Sequence, residues 1–142
     1  MMRATIAAGF ALLLAGCGGQ SGGAVAEGGN ASITVTSVRG GGTLKAGDCK
    51  RAAHVPLYAD AKITTCVSND SLEGRKSGSV IFVSAAPPAT VLAFYKSEAE
   101  KAGLKLTLQT GMSLSASQGG KTMMVMAMAQ DGATQVTVNW GE

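Results

Sequence analysis

The sequence marks both ends of one amphipathic helix in the second half of the chain. Pro87-Pro88 opens it, because proline is tolerated in a first helical turn, and Gly103 stands just past its end, where glycine is favoured. The apolar residues at helical spacing are Val91, Leu92, Phe94, Tyr95, Ala99 and Ala102. A helix with one apolar face must be covered by a second layer, so the fold is predicted to pair this helix with another packed element.

The segments around the helix alternate apolar and polar residues, a pattern typical of strands. The strands are predicted at residues 63–67, 79–84, 104–116, 122–129 and 135–140. The third is predicted to break near Gly111, Asp131-Gly132 is a hairpin signal, and Ile33 with Val35 predicts an additional edge strand. The sequence therefore predicts an α+β two-layer sandwich of order ββαβββ, in which one helix packs on a face of an antiparallel sheet.

Composition is consistent with one folded domain that begins late in the chain. The chain has 142 residues, of which 46% are hydrophobic and 15% charged, too apolar for a disordered protein. Most of the excess glycine lies in the first third, which predicts a domain over residues 31–142. The basic residues are scattered and form no stripe, so no nucleic-acid partner is predicted.

The first 16 residues have the layout of a signal peptide. Arg3 supplies a positive charge, residues 4–14 are an apolar run, and the small residues Ala15 and Gly16 precede Cys17. The run is shorter than the ~20 residues that cross a bilayer. We therefore predict a cleaved signal peptide over residues 1–16.

Leu14-Ala15-Gly16-Cys17 resembles the lipobox of bacterial lipoproteins. The resemblance implies cleavage before Cys17, acyl chains on that cysteine and attachment to the cell envelope membrane, and two or more such chains anchor stably. Gly18, where an aspartate would favour the inner membrane, implies the outer membrane facing the periplasm. Residues 17–30 are rich in glycine and predict a flexible tether. The alternative is an ordinary signal peptide followed by an incidental cysteine.

Cys49 and Cys66 are the two remaining cysteines, and an even pair in an exported chain predicts a disulfide. The alternative is a metal site with His54, which lies between them, as a third ligand. Structural zinc takes four ligands and no fourth is evident, so neither a metal nor a cofactor is predicted. His54 is then expected on the surface.

The sequence offers little for catalysis. The serines at 113, 115 and 117 lie in no Gly-x-Ser-x-Gly motif, and Gly119-Gly120-Lys121-Thr122 lacks the upstream glycine of a phosphate loop. One histidine and nine acidic residues provide no evident acid–base pair. We predict a protein that acts by binding or structural support and is not an enzyme.

Met124, Met126 and Met128 recur at spacing two, which places three thioethers on one face of a strand. Burial in the core beneath the helix is the preferred interpretation, because methionine is a common core filler. The alternatives are a periplasmic Cu(I) site, since thioethers suit Cu(I), and an outer surface that meets an envelope protein partner. The oligomeric state is not predicted.

The region from residue 33 to 140 resembles small envelope lipoproteins of unassigned function. The shared motifs are Val55-Pro56-Leu57-Tyr58 followed by Ala61, and Phe94-Tyr95 in a helix that ends in Ala102-Gly103. This chain departs from the pattern at Asp60, often glycine, and at Leu104, usually tryptophan. The motifs are structural and bring no catalytic residue with them.

Overall fold

One antiparallel sheet with a helix on its face makes up most of the computed structural model, which describes residues 22–28, 31–37, 44, 46–71 and 74–142. The strands are β1 (Gly22–Gly28), β2 (Ala31–Ser37), β3 (Lys62–Asp70), β4 (Lys76–Ser84), β5 (Lys105–Gln109), β6 (Ser113–Gln118), β7 (Lys121–Gln130) and β8 (Ala133–Gly141). The helix α1 spans Pro88–Lys101, and a 3₁₀ helix spans Ala46–Asp48. The strand order across the sheet is β1-β2-β3-β4-β8-β7-β6-β5.

The core lies between α1 and the inner face of the sheet. From the helix, Val91, Leu92, Tyr95 and Ala99 are buried, and α1 contacts β5, β6 and β7. The sheet contributes fully buried side chains on its inner face: Val80, Phe82, Leu114, Val125, Val136 and Val138. The prediction of an α+β fold with one helix on a sheet face is confirmed. The buried face of the helix ends earlier than predicted, because Ala102, which was predicted to belong to it, is exposed.

The stretch predicted as one interrupted strand is a hairpin of two strands, β5 and β6. Residues 110–112 turn the chain, and the Thr110 hydroxyl accepts hydrogen bonds from the backbone N–H groups of Met112 (3.2 Å) and Ser113 (2.9 Å). A threonine side chain that satisfies two backbone donors favours a turn over a continued strand. The break predicted near Gly111 is therefore a reversal of the chain, and the sheet has one more strand after α1 than expected.

The N-terminal strands also differ from the sequence prediction. β2 is not at the edge, because β1 pairs with it from Gly22↔Ser37 to Gly28↔Ala31. β1 lies within the 17–30 stretch predicted as a flexible tether. Ladder hydrogen bonds use backbone groups only, so a glycine-rich segment can pair wherever a neighbouring strand offers a free edge. Cys17 and residues 1–16 lie outside the described residues.

The segment before β3 is fastened to α1 and β4 at several points. The Tyr95 hydroxyl donates a hydrogen bond to the Pro56 carbonyl (3.1 Å), and burial raises the pKa of Tyr95. The Asp60 carboxylate accepts hydrogen bonds from the Ser84 hydroxyl (2.6 Å) and from the Ala85 N–H (2.8 Å), which lower the pKa of Asp60. These contacts position the segment that carries the first motif of the lipoprotein resemblance.

Cys49 and Cys66 are joined by a disulfide, with their Cα atoms 5.6 Å apart. Cys66 lies in the middle of β3, and both cysteines are buried. The bond ties the 3₁₀ helix region to the sheet, so neither cysteine is a metal ligand in this structure.

Candidate functional site

The three methionines of β7 lie on the outer face of the sheet, away from α1. Met124 is 46% exposed, Met126 40% and Met128 46%, whereas their neighbours Met123 and Val125 are buried on the inner face. The preferred interpretation of the three methionines as core residues was wrong. The helix covers one side of β7 only, so the second apolar face of this strand meets solvent.

The cross-strand neighbours of these methionines are uncharged. The cross-strand partners of Met124 are Ser115 and Asn139, and those of Met126 are Ser113 and Thr137. Across strands β4 to β8 the charged residues are Lys76, Lys105 and Lys121, each the first residue of its strand, and Lys105 pairs with Ser117 at the border of this surface. We call this surface the methionine face: the outward side chains of β6, β7 and β8 around Met124, Met126 and Met128.

A bulge in β5 extends the methionine face by one leucine. Leu106 pairs with Ala116, but Leu108 pairs with Ser115, so the register shifts between the two leucines. An extra residue in one strand turns the following side chain to the opposite face. Leu108 therefore lies on the same side as Met124 and is 51% exposed.

An open depression of about 350 Å³ indents the methionine face beside Met124. Its lining includes Thr107, Ser117, Met124 and Asn139, all uncharged side chains. A shallow, neutral recess next to flexible thioethers is suited to an apolar side chain of a partner or to a soft ligand.

His54 is buried at the end of the sheet, which corrects the prediction of a surface residue. Only 7% of the residue is exposed, because the segment of residues 50–58 folds over the inner face near Thr122 and Trp140. The Nε2 atom lies 3.1 Å from the Thr122 carbonyl oxygen, and Nδ1 lies 3.9 Å from Oε2 of Glu142. Sequence patterns gave no sign of the His54–Glu142 pairing, since neither residue belongs to a motif.

The other residues weighed for chemistry are dispersed over the fold. Ser113 and Ser115 lie on β6 opposite the methionines, while Glu98 pairs with Lys101 on the helix surface, with 2.7 Å between Oε1 and Nζ. Gly119 and Gly120 form the turn between β6 and β7 with positive φ angles of 59° and 85°. Within the described ranges, no three or more His, Cys, Asp or Glu side chains are grouped so that they could hold a metal ion.

No helix in the described part of the chain is long and apolar enough to cross a membrane. Comparison with curated proteins and with solved structures gives no significant match to this chain. The model of one protein family, described as START domain-like, matches residues 64–140. The matched span runs from β3 through α1 to Trp140 in β8 and covers slightly more than half of the chain. The chain therefore belongs to the START domain-like family.

Proposed function

We propose that this protein is a lipid-anchored, non-catalytic protein of the bacterial cell envelope that acts by binding a protein partner through its methionine face. The observation that carries the anchoring is Leu14-Ala15-Gly16-Cys17 at the end of the apolar run. The disulfide between Cys49 and Cys66 supports an oxidising compartment and leaves Cys17 as the one cysteine for lipid. Gly18 after the cysteine favours the outer membrane facing the periplasm.

The methionine face supports binding as the mode of action. Protein interfaces are depleted of charged residues at their centre and enriched in methionine, and this surface combines both properties. Exposed methionines also adapt their shape to a partner at small cost, because the thioether chain is unbranched and flexible. The proposed partner is an envelope protein with a complementary uncharged, apolar surface.

Replacement of Cys17 by alanine tests the anchoring. We expect the wild type, expressed in a bacterium, to be cut before Cys17, to carry acyl chains and to partition into membranes. The Cys17→Ala variant is expected to lose the cleavage and the acyl chains, since the thiol is the acceptor of the first lipid. Intact mass spectrometry and membrane fractionation of both proteins measure the outcome.

The matched control for this experiment is Ser21→Ala, four residues beyond the cysteine, which is expected to be processed and anchored like the wild type. A wild-type protein that is soluble and unlipidated would mean that Cys17 is incidental. The proposal of an envelope anchor would then be withdrawn, whereas the fold and its methionine face would stand.

Cu(I) binding is the second candidate, and the exposure of Met124, Met126 and Met128 favours it. Alternate residues of a strand are about 6.5–7 Å apart along the chain, so the flexible side chains of neighbouring methionines can bring two sulfurs onto one ion. Soft thioether ligands select Cu(I). Methionines buried in the core could not have bound a copper ion from solvent. The exposure of these three side chains is therefore compatible with a Cu(I) site.

Triple replacement of Met124, Met126 and Met128 by leucine separates the two candidates. Leucine keeps the apolar surface but removes every sulfur, and methionine-to-leucine exchange costs less than about 1.5 kcal/mol of stability. We expect the triple variant to lose stoichiometric Cu(I) binding in a competition assay if the face is a copper site. Retention of partner binding by the same variant is expected if the face is a protein interface.

Met112→Leu is the control in the copper assay, because Met112 is 63% exposed in the turn before β6 but lies outside the row of three. Its replacement is expected to leave Cu(I) affinity unchanged. An unchanged affinity in the triple variant would reject the copper site.

A further inference from the structure

The His54 imidazole is held in one orientation and one tautomer. A carbonyl oxygen only accepts hydrogen bonds, so Nε2, 3.1 Å from the Thr122 oxygen, carries the proton. In the neutral ring, Nδ1 then presents a lone pair. Nδ1 is buried and has no hydrogen-bond partner among the described residues, an arrangement that is costly for a polar atom.

The Glu142 carboxylate faces this lone pair. Its Oε2 atom lies 3.9 Å from Nδ1, and the side chain of Glu142 is 30% exposed while that of His54 is 3% exposed. The backbone of Glu142 is fixed, because its N–H and carbonyl both pair with Lys76, at 2.8 Å and 3.0 Å. A ring lone pair and a carboxylate that face each other are stabilised by a cation between them, which can be a proton or a metal ion.

We propose that His54 Nδ1 and the Glu142 carboxylate are two ligands of a divalent transition-metal site, with water or an external ligand completing the coordination. Two ligands of a tetrahedral zinc ion, each about 2.0–2.2 Å from the metal, lie about 3.4 Å apart. The observed 3.9 Å is closer to this separation than to the ~2.8 Å of a charge-assisted hydrogen bond. A small movement of the exposed Glu142 side chain closes the difference.

The second ring nitrogen of His54 is held in the same way as in a metal-ligating histidine. Such a histidine almost always donates its second ring N–H to a carbonyl or carboxylate, which fixes the ring and raises the basicity of the ligating nitrogen. The Thr122 carbonyl provides that contact here. Imidazole and carboxylate donors suit zinc(II) and similar ions, whereas the thioethers of the methionine face suit Cu(I), so the two sites differ in chemistry and in position.

Zinc(II) titration of the full chain by calorimetry tests the site. The chain carries Cys17→Ala to remove the one cysteine outside the disulfide, and it has no histidine tag, so that His54 is its only histidine. We expect one zinc ion per chain and a zinc-dependent shift of the His54 imidazole resonances. Glu142→Gln is expected to weaken binding at least about tenfold, because loss of a second-shell partner alone costs about 10- to 100-fold.

The control is Asp131→Asn, which removes an exposed carboxylate in the β7–β8 turn at a positive φ that asparagine tolerates. It is expected to bind zinc like the parent chain. The site is rejected if zinc leaves the His54 resonances unmoved, or if Glu142→Gln binds zinc as tightly as the parent. It is also rejected if acid alone perturbs His54 and zinc does not, since the pair would then be bridged by a proton. Because Glu142 is partly exposed, Glu142→Gln is expected to keep the melting temperature of the parent, which separates lost binding from lost folding.

Discussion

Replacement of Cys49 and Cys66 by alanine is expected to lower the free energy of unfolding by about 3 kcal/mol. The two cysteines are 17 residues apart, and a cross-link over a loop of this length restricts the unfolded chain by about that amount. Alanine leaves no unpaired polar group at either buried position. The loop released by the double variant includes His54, Val55 and Tyr58, so the cover over this end of the sheet is expected to loosen first.

Urea denaturation of the wild type and of the Cys49→Ala/Cys66→Ala variant measures this loss, and reductant supplies the matched control. A reducing agent should bring the wild type to the stability of the double variant and should not affect the variant itself. A wild type whose midpoint is unchanged by full reduction would contradict the prediction. The chain-entropy account would then fail for this loop.

The helix and most of the strands could be predicted because their signals are local. Pro87-Pro88 and Gly103 act on the backbone within one turn, and the structure places α1 between them. Alternation likewise predicted β7 and β8, and the Asp131-Gly132 dipeptide predicted the turn between them. The break near Gly111 was predicted, but the reversal of the chain into the β5–β6 hairpin was not. That reversal depends on the Thr110 hydroxyl bonding to two backbone N–H groups, which a hydrophobic pattern does not record.

The sites were less predictable, because they depend on what covers each surface. Spacing two correctly placed Met124, Met126 and Met128 on one face, but Met123 and Val125 make the other face equally apolar. Only the position of α1 decides which face is buried. His54 shows the same limit, since its burial results from how the segment of residues 50–58 folds over the sheet, and a single histidine has no periodicity.

Gly78→Ala is expected to destabilise the protein by about 1–3 kcal/mol, toward the upper end of what overpacking costs. A Cβ atom at this position would overlap the Trp140 ring, with Cη2 2.6 Å away, and would also meet the Val67 carbonyl oxygen below van der Waals distance. The indole could move only by leaving the core edge that it covers. The carbonyl belongs to β3 and cannot move without breaking the ladder between β3 and β4.

The sign of the stability change in Gly78→Ala distinguishes steric overlap with Trp140 from the intrinsic strand preference of the two residues. Alanine normally stabilises a strand relative to glycine by about 0.5–1 kcal/mol. Gly111→Ala is the matched control: nothing lies within 4 Å of a Cβ there and the backbone is not left-handed. That variant is expected to be neutral or more stable by up to about 1 kcal/mol, through the unfolded chain. The denaturant midpoint of Gly78→Ala should therefore fall below that of the wild type, and the midpoint of Gly111→Ala should not. Equal stability of Gly78→Ala and wild type would mean that Trp140 does not pack over residue 78 in solution. The indole would then be free to leave the core, and Trp140→Phe, which shortens the ring at this contact, should cost almost nothing as well.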